Sequence, residues 1–188
     1  MREFAAAFQI FLRQDLPVYL LMTGLYKNIS ALQNEKSLTF LYRAPKINLG
    51  PLNIGTISED YQSVLGLDEE EGLALAKLTK GYSFAFQVLG YFTWEHPDDS
   101  QESQRLARQY LDDYAYEKIW SELSRKDREV LYGIAKVKSG SIIEIRGLLG
   151  MTTNEFNPYR ERLIRKGIIS GEERGYVQLL LPFFDQYT

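Results

Sequence analysis

The chain has 188 residues, 45% of them hydrophobic and 25% charged, with no cysteine, one histidine and a net charge of −3. Without cysteine there is no disulfide framework, thiol nucleophile or thiolate zinc site, and one histidine leaves no room for a multi-histidine metal centre. No apolar run approaches the ~18 residues of a membrane span, and Met1-Arg2-Glu3 opens a helical pattern rather than a signal peptide, so a cytoplasmic protein without membrane contact is expected. Charge is unevenly spread: residues 1–57 carry six basic and three acidic groups, 58–115 four and twelve, and 116–188 twelve and ten. These changes of sign predict three units with those borders.

In the first unit, Phe4, Phe8, Phe11 and Leu12 recur at helical spacing around Ala5-Ala6-Ala7 and predict an amphipathic helix ending before Pro17. Val18-Tyr19-Leu20-Leu21-Met22 is apolar on both faces and ends at Thr23-Gly24, the pattern of a buried strand in a parallel sheet. Ile29 and Leu32 predict a short helix. Phe40-Leu41-Tyr42-Arg43 then leads to a second strand, Lys46-Ile47-Asn48-Leu49, closed by Gly50-Pro51. Two strands make no stable sheet, which takes about three or more. The unit is therefore expected to be part of an α/β domain, with an exposed sheet edge at 18–22 through which copies self-associate.

In the middle unit, Asp68 with Glu69, Glu70 and Glu71 sets acids against the positive end of a helix, which continues through Leu73, Leu75, Ala76 and Leu78 to Gly81. Phe84, Ala85, Val88, Leu89 and Phe92 define a second, very apolar helix. After the loop His96-Pro97-Asp98-Asp99-Ser100, a third helix capped by Asp99 or Ser100 runs through Leu106, Tyr110, Leu111 and Tyr114. His96 beside Asp98 and Asp99 lacks the ligand count of a metal site and reads as a solvated loop residue.

The last unit contains three [ST]-x-x-[DE] capping boxes: Ser124 to Asp127, Ser141 to Glu144, and Thr152 to Glu155. The first helix buries Val130, Leu131, Ile134 and Val137; the second, Ile145, Leu148 and Leu149; the third, Phe156, Tyr159 and Leu163. Only Gly150-Met151 separates the second helix from the cap of the third, the spacing of a helix-turn-helix. Pro158 predicts either a kink in the third helix or a fresh start capped by Asn157. Ile168-Ile169, a turn from Gly171 to Gly175, and Tyr176-Val177-Gln178-Leu179-Leu180 make a β-hairpin, which completes a winged helix. Asn154, Arg160, Arg162, Arg165 and Lys166 on the third helix and Arg174 at the hairpin tip are candidate contacts to duplex DNA. Glu155, Glu161, Glu172 and Glu173 dilute that charge, which leaves a protein partner as the other reading.

Taken in order, these segments resemble a known family. FQIFLRQDLPVYLLMTGLYKNISAL followed by FLYRAPKINLGPL is similar to the second half of a P-loop ATPase of the AAA/STAND type. There a helix leads into a strand ending in a polar sensor residue, then an arginine-bearing segment, a further strand and a helical lid. LTKGYSFAFQVLGYF looks like the lid motif, and the last ~70 residues look like the appended winged helix. The resemblance implies that Thr23 holds the sensor position, that Arg43 lies where an arginine compensates γ-phosphate charge, and that Tyr82 meets adenine from the lid. Thr23 as a strand-end cap, Arg43 as a surface ion-pair partner and Tyr82 as a packing residue are the alternatives. The lid turn Gly81-Tyr82-Ser83 has neither the proline nor the sensor arginine frequent in that family.

A phosphate-binding loop needs G-x-x-x-x-G-K-[ST], whose amides and lysine neutralise the phosphates. Residues 50–56 keep the glycine spacing but lack the lysine and read as a turn. Val64-Leu65-Gly66-Leu67-Asp68-Glu69 imitates the acidic Mg²⁺ strand but reads as a helix start. The expected fold is thus mainly α with a small α/β part: a partial P-loop NTPase core, a helical lid and a C-terminal winged helix-turn-helix. No catalytic residue is expected in this chain, and ATP with Mg²⁺ belongs only to the intact ATPase. The expected function is to couple nucleotide state to DNA or protein binding, with a P-loop half as partner. A stand-alone winged-helix DNA-binding regulator and a non-catalytic interaction module are the alternatives.

Overall fold

The computed structural model describes residues 2–184 apart from 25, 36, 37, 46 and 48. The chain forms two compact units, Met1–Leu49 and Gly50–Thr188. The predicted border at 57/58 falls inside the helix Ile54–Leu65, which packs with the helices that follow it. Among the described residues the chain is mainly α, with one two-stranded antiparallel sheet, and no helix is long and apolar enough to cross a membrane.

The first unit contains α1 (Arg2–Arg13), α2 (Tyr26–Gln33) and the single turn α3 (Thr39–Tyr42). The two helices predicted from the Phe4 and Ile29 periodicities are both there. The predicted strand at 18–22 is not. Residues 18–22 are irregular, with Tyr19 98% and Leu21 82% exposed. A strand apolar on both faces forms only when neighbouring strands pair its backbone and layers cover both sides, and the described residues of this unit supply neither. The expected sheet edge at Val18–Met22 is corrected accordingly to an exposed apolar segment without strand structure. The second strand includes Lys46 and Asn48, which lie outside the described residues; Ile47 and Leu49 are exposed and in no strand. Among the described residues, the unit's buried core is Leu38 and Leu41, with Met22, Leu32 and Phe40 packed on them.

The second unit opens with a helix the sequence reading missed, α4 (Ile54–Leu65), capped by the Asn53 side chain, which accepts from the Thr56 amide. Five further elements follow: α5 (Glu69–Leu78), α6 (Ser83–Glu95), α7 (Ser100–Leu111), a π turn at Asp112–Tyr116, and α8 (Glu117–Ser121). The Asp68 box at the start of α5 is complete, and Asp99 caps α7. Gly81 turns the chain between α5 and α6 at φ 75°, and a Cβ there would meet the Leu52 carbonyl at 2.6 Å. Only glycine allows Leu52 to approach and donate its amide to the Gly81 carbonyl.

The remaining elements are α9 (Arg125–Lys136), α10 (Ile142–Leu149), α11 (Thr153–Arg165), β1 (Ile169–Ser170) and β2 (Gln178–Leu179). The strands pair Ile169 with Leu179 and Ser170 with Gln178. Ser124 and Thr152 form full capping boxes; Ser141 does not. Its backbone bridges to Tyr176, and the Ile142 amide donates to the Gly175 carbonyl at 2.9 Å, so the hairpin satisfies a first-turn amide of α10 other than the two a box would take. Ser139 takes over the polar role, accepting from the Ser141 amide and donating to Glu144 at 2.9 Å. Leu148, predicted inward, is 56% exposed, leaving Ile145 as the buried residue of α10. α11 runs through Pro158 without a fresh start at Asn157. One apolar core, from Ile57 to Phe184, joins the earlier helices to this part without a break at 115/116. Tyr116 lies within it and donates its hydroxyl to the Pro182 carbonyl at 2.6 Å.

Candidate functional site

The sequence-derived candidates fall on both units. Thr23 and Arg43 belong to the first and are exposed, Thr23 in the irregular segment and Arg43 at the C-cap of α3. Thr23 therefore ends no strand. Tyr82 precedes α6 in the second unit, half-buried against the core, with its ring edge-to-face to Phe84 at 6.4 Å. Burial pushes its phenol above the ordinary tyrosine range. Its ring is held by packing rather than standing out from the surface.

The basic helix α11 is where the geometry is most informative. Arg162 donates from Nε and Nη2 to Asp127 Oδ1 at 2.8 and 2.6 Å, and its guanidinium lies over the Tyr159 ring at 5.0 Å. Asp127 is 2% exposed and also takes part in the Ser124 cap. Burial alone would push its carboxyl up, but hydrogen bonds from Ser124 and Arg162 outweigh burial and hold it below the ordinary aspartate range. Arg162 is thus a tie between α11 and α9. Arg160 turns the other way, donating from Nη2 to the Gly171 carbonyl at 3.3 Å and anchoring the hairpin. Lys166 reaches the Glu122 carbonyl at 3.5 Å. Among the described residues, Asn154, Arg165 and Arg174 are exposed and their side chains make no hydrogen bond or ion pair.

Other cations of this region are also engaged inside the protein. Arg128 donates to the Trp120 carbonyl and covers its ring at 5.0 Å, Arg146 donates to the Met151 carbonyl, and Lys126 pairs with Glu129 at 2.9 Å. Glu161, Glu172 and Glu173 stay exposed. The outward charge of α11 and the hairpin is therefore close to balanced.

A cleft of about 690 Å³ lies within the second unit, between the α5–α6 region and the α9–β2 region. Ile134, Val137, Val177 and Leu179 line it together with three lysines, Lys77, Lys80 and Lys138, and its lining contains no carboxylate. Lys80 donates to the Leu179 carbonyl at 3.2 Å. Such a surface attracts anions but holds no nucleophile beside a base. Among the described residues no group of three or more His, Cys, Asp or Glu could hold a metal ion.

The sequence reading missed the Asp127–Arg162 tie, which joins positions 35 residues apart. It found Asp127 as a cap and Arg162 as a surface base, and periodicity alone has no means of pairing them. A family model described as a domain of unknown function (DUF8462) matches residues 113–188, a stretch that begins in the π turn and takes in α8–α11 and the hairpin. No curated protein and no solved structure matches the chain.

Proposed function

We propose that this chain is a lid and winged-helix region of an AAA/STAND-like ATPase, without hydrolytic activity of its own, which relays nucleotide state to a protein partner. The observation that carries the reading is the arrangement of α9, α10, α11 and the hairpin. A two-residue link turns α10 into α11, with Gly150 at φ 63°, and the hairpin returns to the start of α10 through the Ser141–Tyr176 bridge. This arrangement supports reading the segment as a winged helix, with α11 in the recognition position. Continuity of its core with α4–α8 supports a relay, since a change at one end is felt at the other through close packing. The commitment of Arg160 and Arg162 to internal partners favours protein contact over duplex DNA.

In this reading ATP and Mg²⁺ are held by a P-loop segment, and Thr23 and Arg43 act as sensor and charge-compensating residues only beside it. The coding sequence immediately upstream of Met1 is the test. An in-frame G-x-x-x-x-G-K-[ST], followed by an apolar strand ending in Asp-Glu, is the expected result. Its absence would overturn the ATPase part and leave an interaction module.

A further inference from the structure

Five rings form a continuous ladder across α6, α7 and the π turn. Trp94 lies 6.2 Å from Tyr91, Tyr91 5.1 Å from Phe92, Phe92 5.9 Å from Tyr110, and Tyr110 4.3 Å from Tyr114. Four of them stand in solvent: Trp94 is 66% exposed, Tyr114 68%, Tyr91 52% and Tyr110 38%. Single exposed aromatics are ordinary, but a contiguous row of them is the composition of an interface centre. The row ends in the π turn, where Tyr114 follows Tyr110 at i, i+4. Tyr114 stacks on Tyr110 at an interplanar angle of 27°, while Tyr116 two residues on is fully buried. π turns are rare, and they concentrate at functional sites.

The charge around the ladder selects the partner. Residues 83–121 contain seven carboxylates and three basic side chains. Arg105 is bound to Glu102 at 2.6 Å, and Arg108 lies over the Phe183 ring at 4.5 Å. Glu95 accepts from the Tyr91 hydroxyl at 3.3 Å, which puts a carboxylate at the ladder itself, and Asp113, exposed, immediately precedes Tyr114 in the sequence. Aromatic platforms for single-stranded nucleic acid sit in positive grooves, and this one does not. A guanidinium suits it on both counts, stacking on the rings and pairing with the carboxylates.

We infer that this face docks an arginine-rich segment of a partner protein, its guanidinium groups stacking along the Trp94–Tyr114 ladder and pairing with Glu95 and Asp113. The inference does not depend on the ATPase reading. Its test is the anisotropy of a fluorescein-labelled octa-arginine peptide titrated with the full chain. Labelled octa-glutamate and oligothymidine serve as comparisons. Octa-arginine should bind at about 20 mM salt and weaken as salt rises. Its Kd should rise about tenfold in Trp94→Ala and in Tyr114→Ala, while Tyr114→Phe, which keeps the ring, should stay near the parent value. If either alanine variant loses its helical circular dichroism, the double variant Glu95→Gln, Asp113→Asn decides, and it should bind about tenfold more weakly. Binding indifferent to these substitutions, no binding at low salt, or tighter binding of oligothymidine than of octa-arginine would overturn the proposal.

Discussion

Arg162 shows how a basic side chain on an otherwise exposed helix face can be committed inside the protein before any ligand arrives. Its two donors go to an aspartate that is 2% exposed, so removing the guanidinium strands a buried carboxylate. Arg162→Ala should cost about 2 kcal/mol of stability in urea unfolding, the size of a charge-assisted hydrogen bond lost at a half-exposed site. Arg165→Ala, in solvent, should stay within about 0.5 kcal/mol of the parent. The same pair makes stability depend on pH. The Asp127 carboxyl is held below its unfolded value, so its contribution is complete above about pH 4 and is lost as pH falls through that range. Asp127→Asn should flatten the acid limb of the stability curve; a limb as steep as the parent's would show that other carboxylates carry it.

Among the elements, the caps separate what sequence can and cannot say. Three boxes share one spacing, yet only Ser124 and Thr152 close, because the hairpin reaches the start of α10 first. Ser124→Ala and Thr152→Ala should each cost about 1 kcal/mol, and Ser141→Ala well under half of that. Ser139→Ala should cost more than Ser141→Ala, since Ser139 carries the hydrogen bonds to the Ser141 amide and to Glu144. α5, α7, α9 and α11 were legible because each carries its own side-chain cap and apolar residues at helical spacing, both local signals; α6 and α10 were legible from their apolar residues alone, and the short α8 was not read. α4 has both signals too, in Asn53 and in Ile54, Ile57, Tyr61 and Leu65, but Gly50-Pro51 and Gly55 made residues 50–56 read as a turn. The strand expected at 18–22 failed for another reason. Its pattern describes burial on two faces, which depends on neighbours that lie elsewhere in a chain. Of the aromatic ladder, the Tyr110–Tyr114 pair was legible as an i, i+4 spacing, but the Phe92–Tyr110 contact that joins α6 to α7 is tertiary and carries no local signal.

Over the whole molecule, the two units differ in what holds them. Residues 50–184 share one core from Ile57 to Phe184, whereas the first unit buries Leu38 and Leu41 and leaves Phe4, Ile10 and Leu21 in solvent. A unit of this size with so little apolar burial is marginal alone. Amide hydrogen exchange should therefore show α1 and α2 opening at least about 2 kcal/mol more easily than α6 and α9; equal protection would mean that the first unit is stabilised by contacts beyond its own core. The net charge of −3 conceals a second contrast. The last unit has twelve basic groups, but many of them point inward to carbonyls, rings and carboxylates. The central claim is that α11 is built as a structural and protein-contacting helix rather than a reader of duplex DNA. Anisotropy of a labelled DNA duplex titrated with the full chain at about 50 mM salt tests it most directly. The account predicts no saturable binding; a saturable isotherm that weakens steeply with salt, and again in Arg165→Ala and Arg174→Ala, would contradict it.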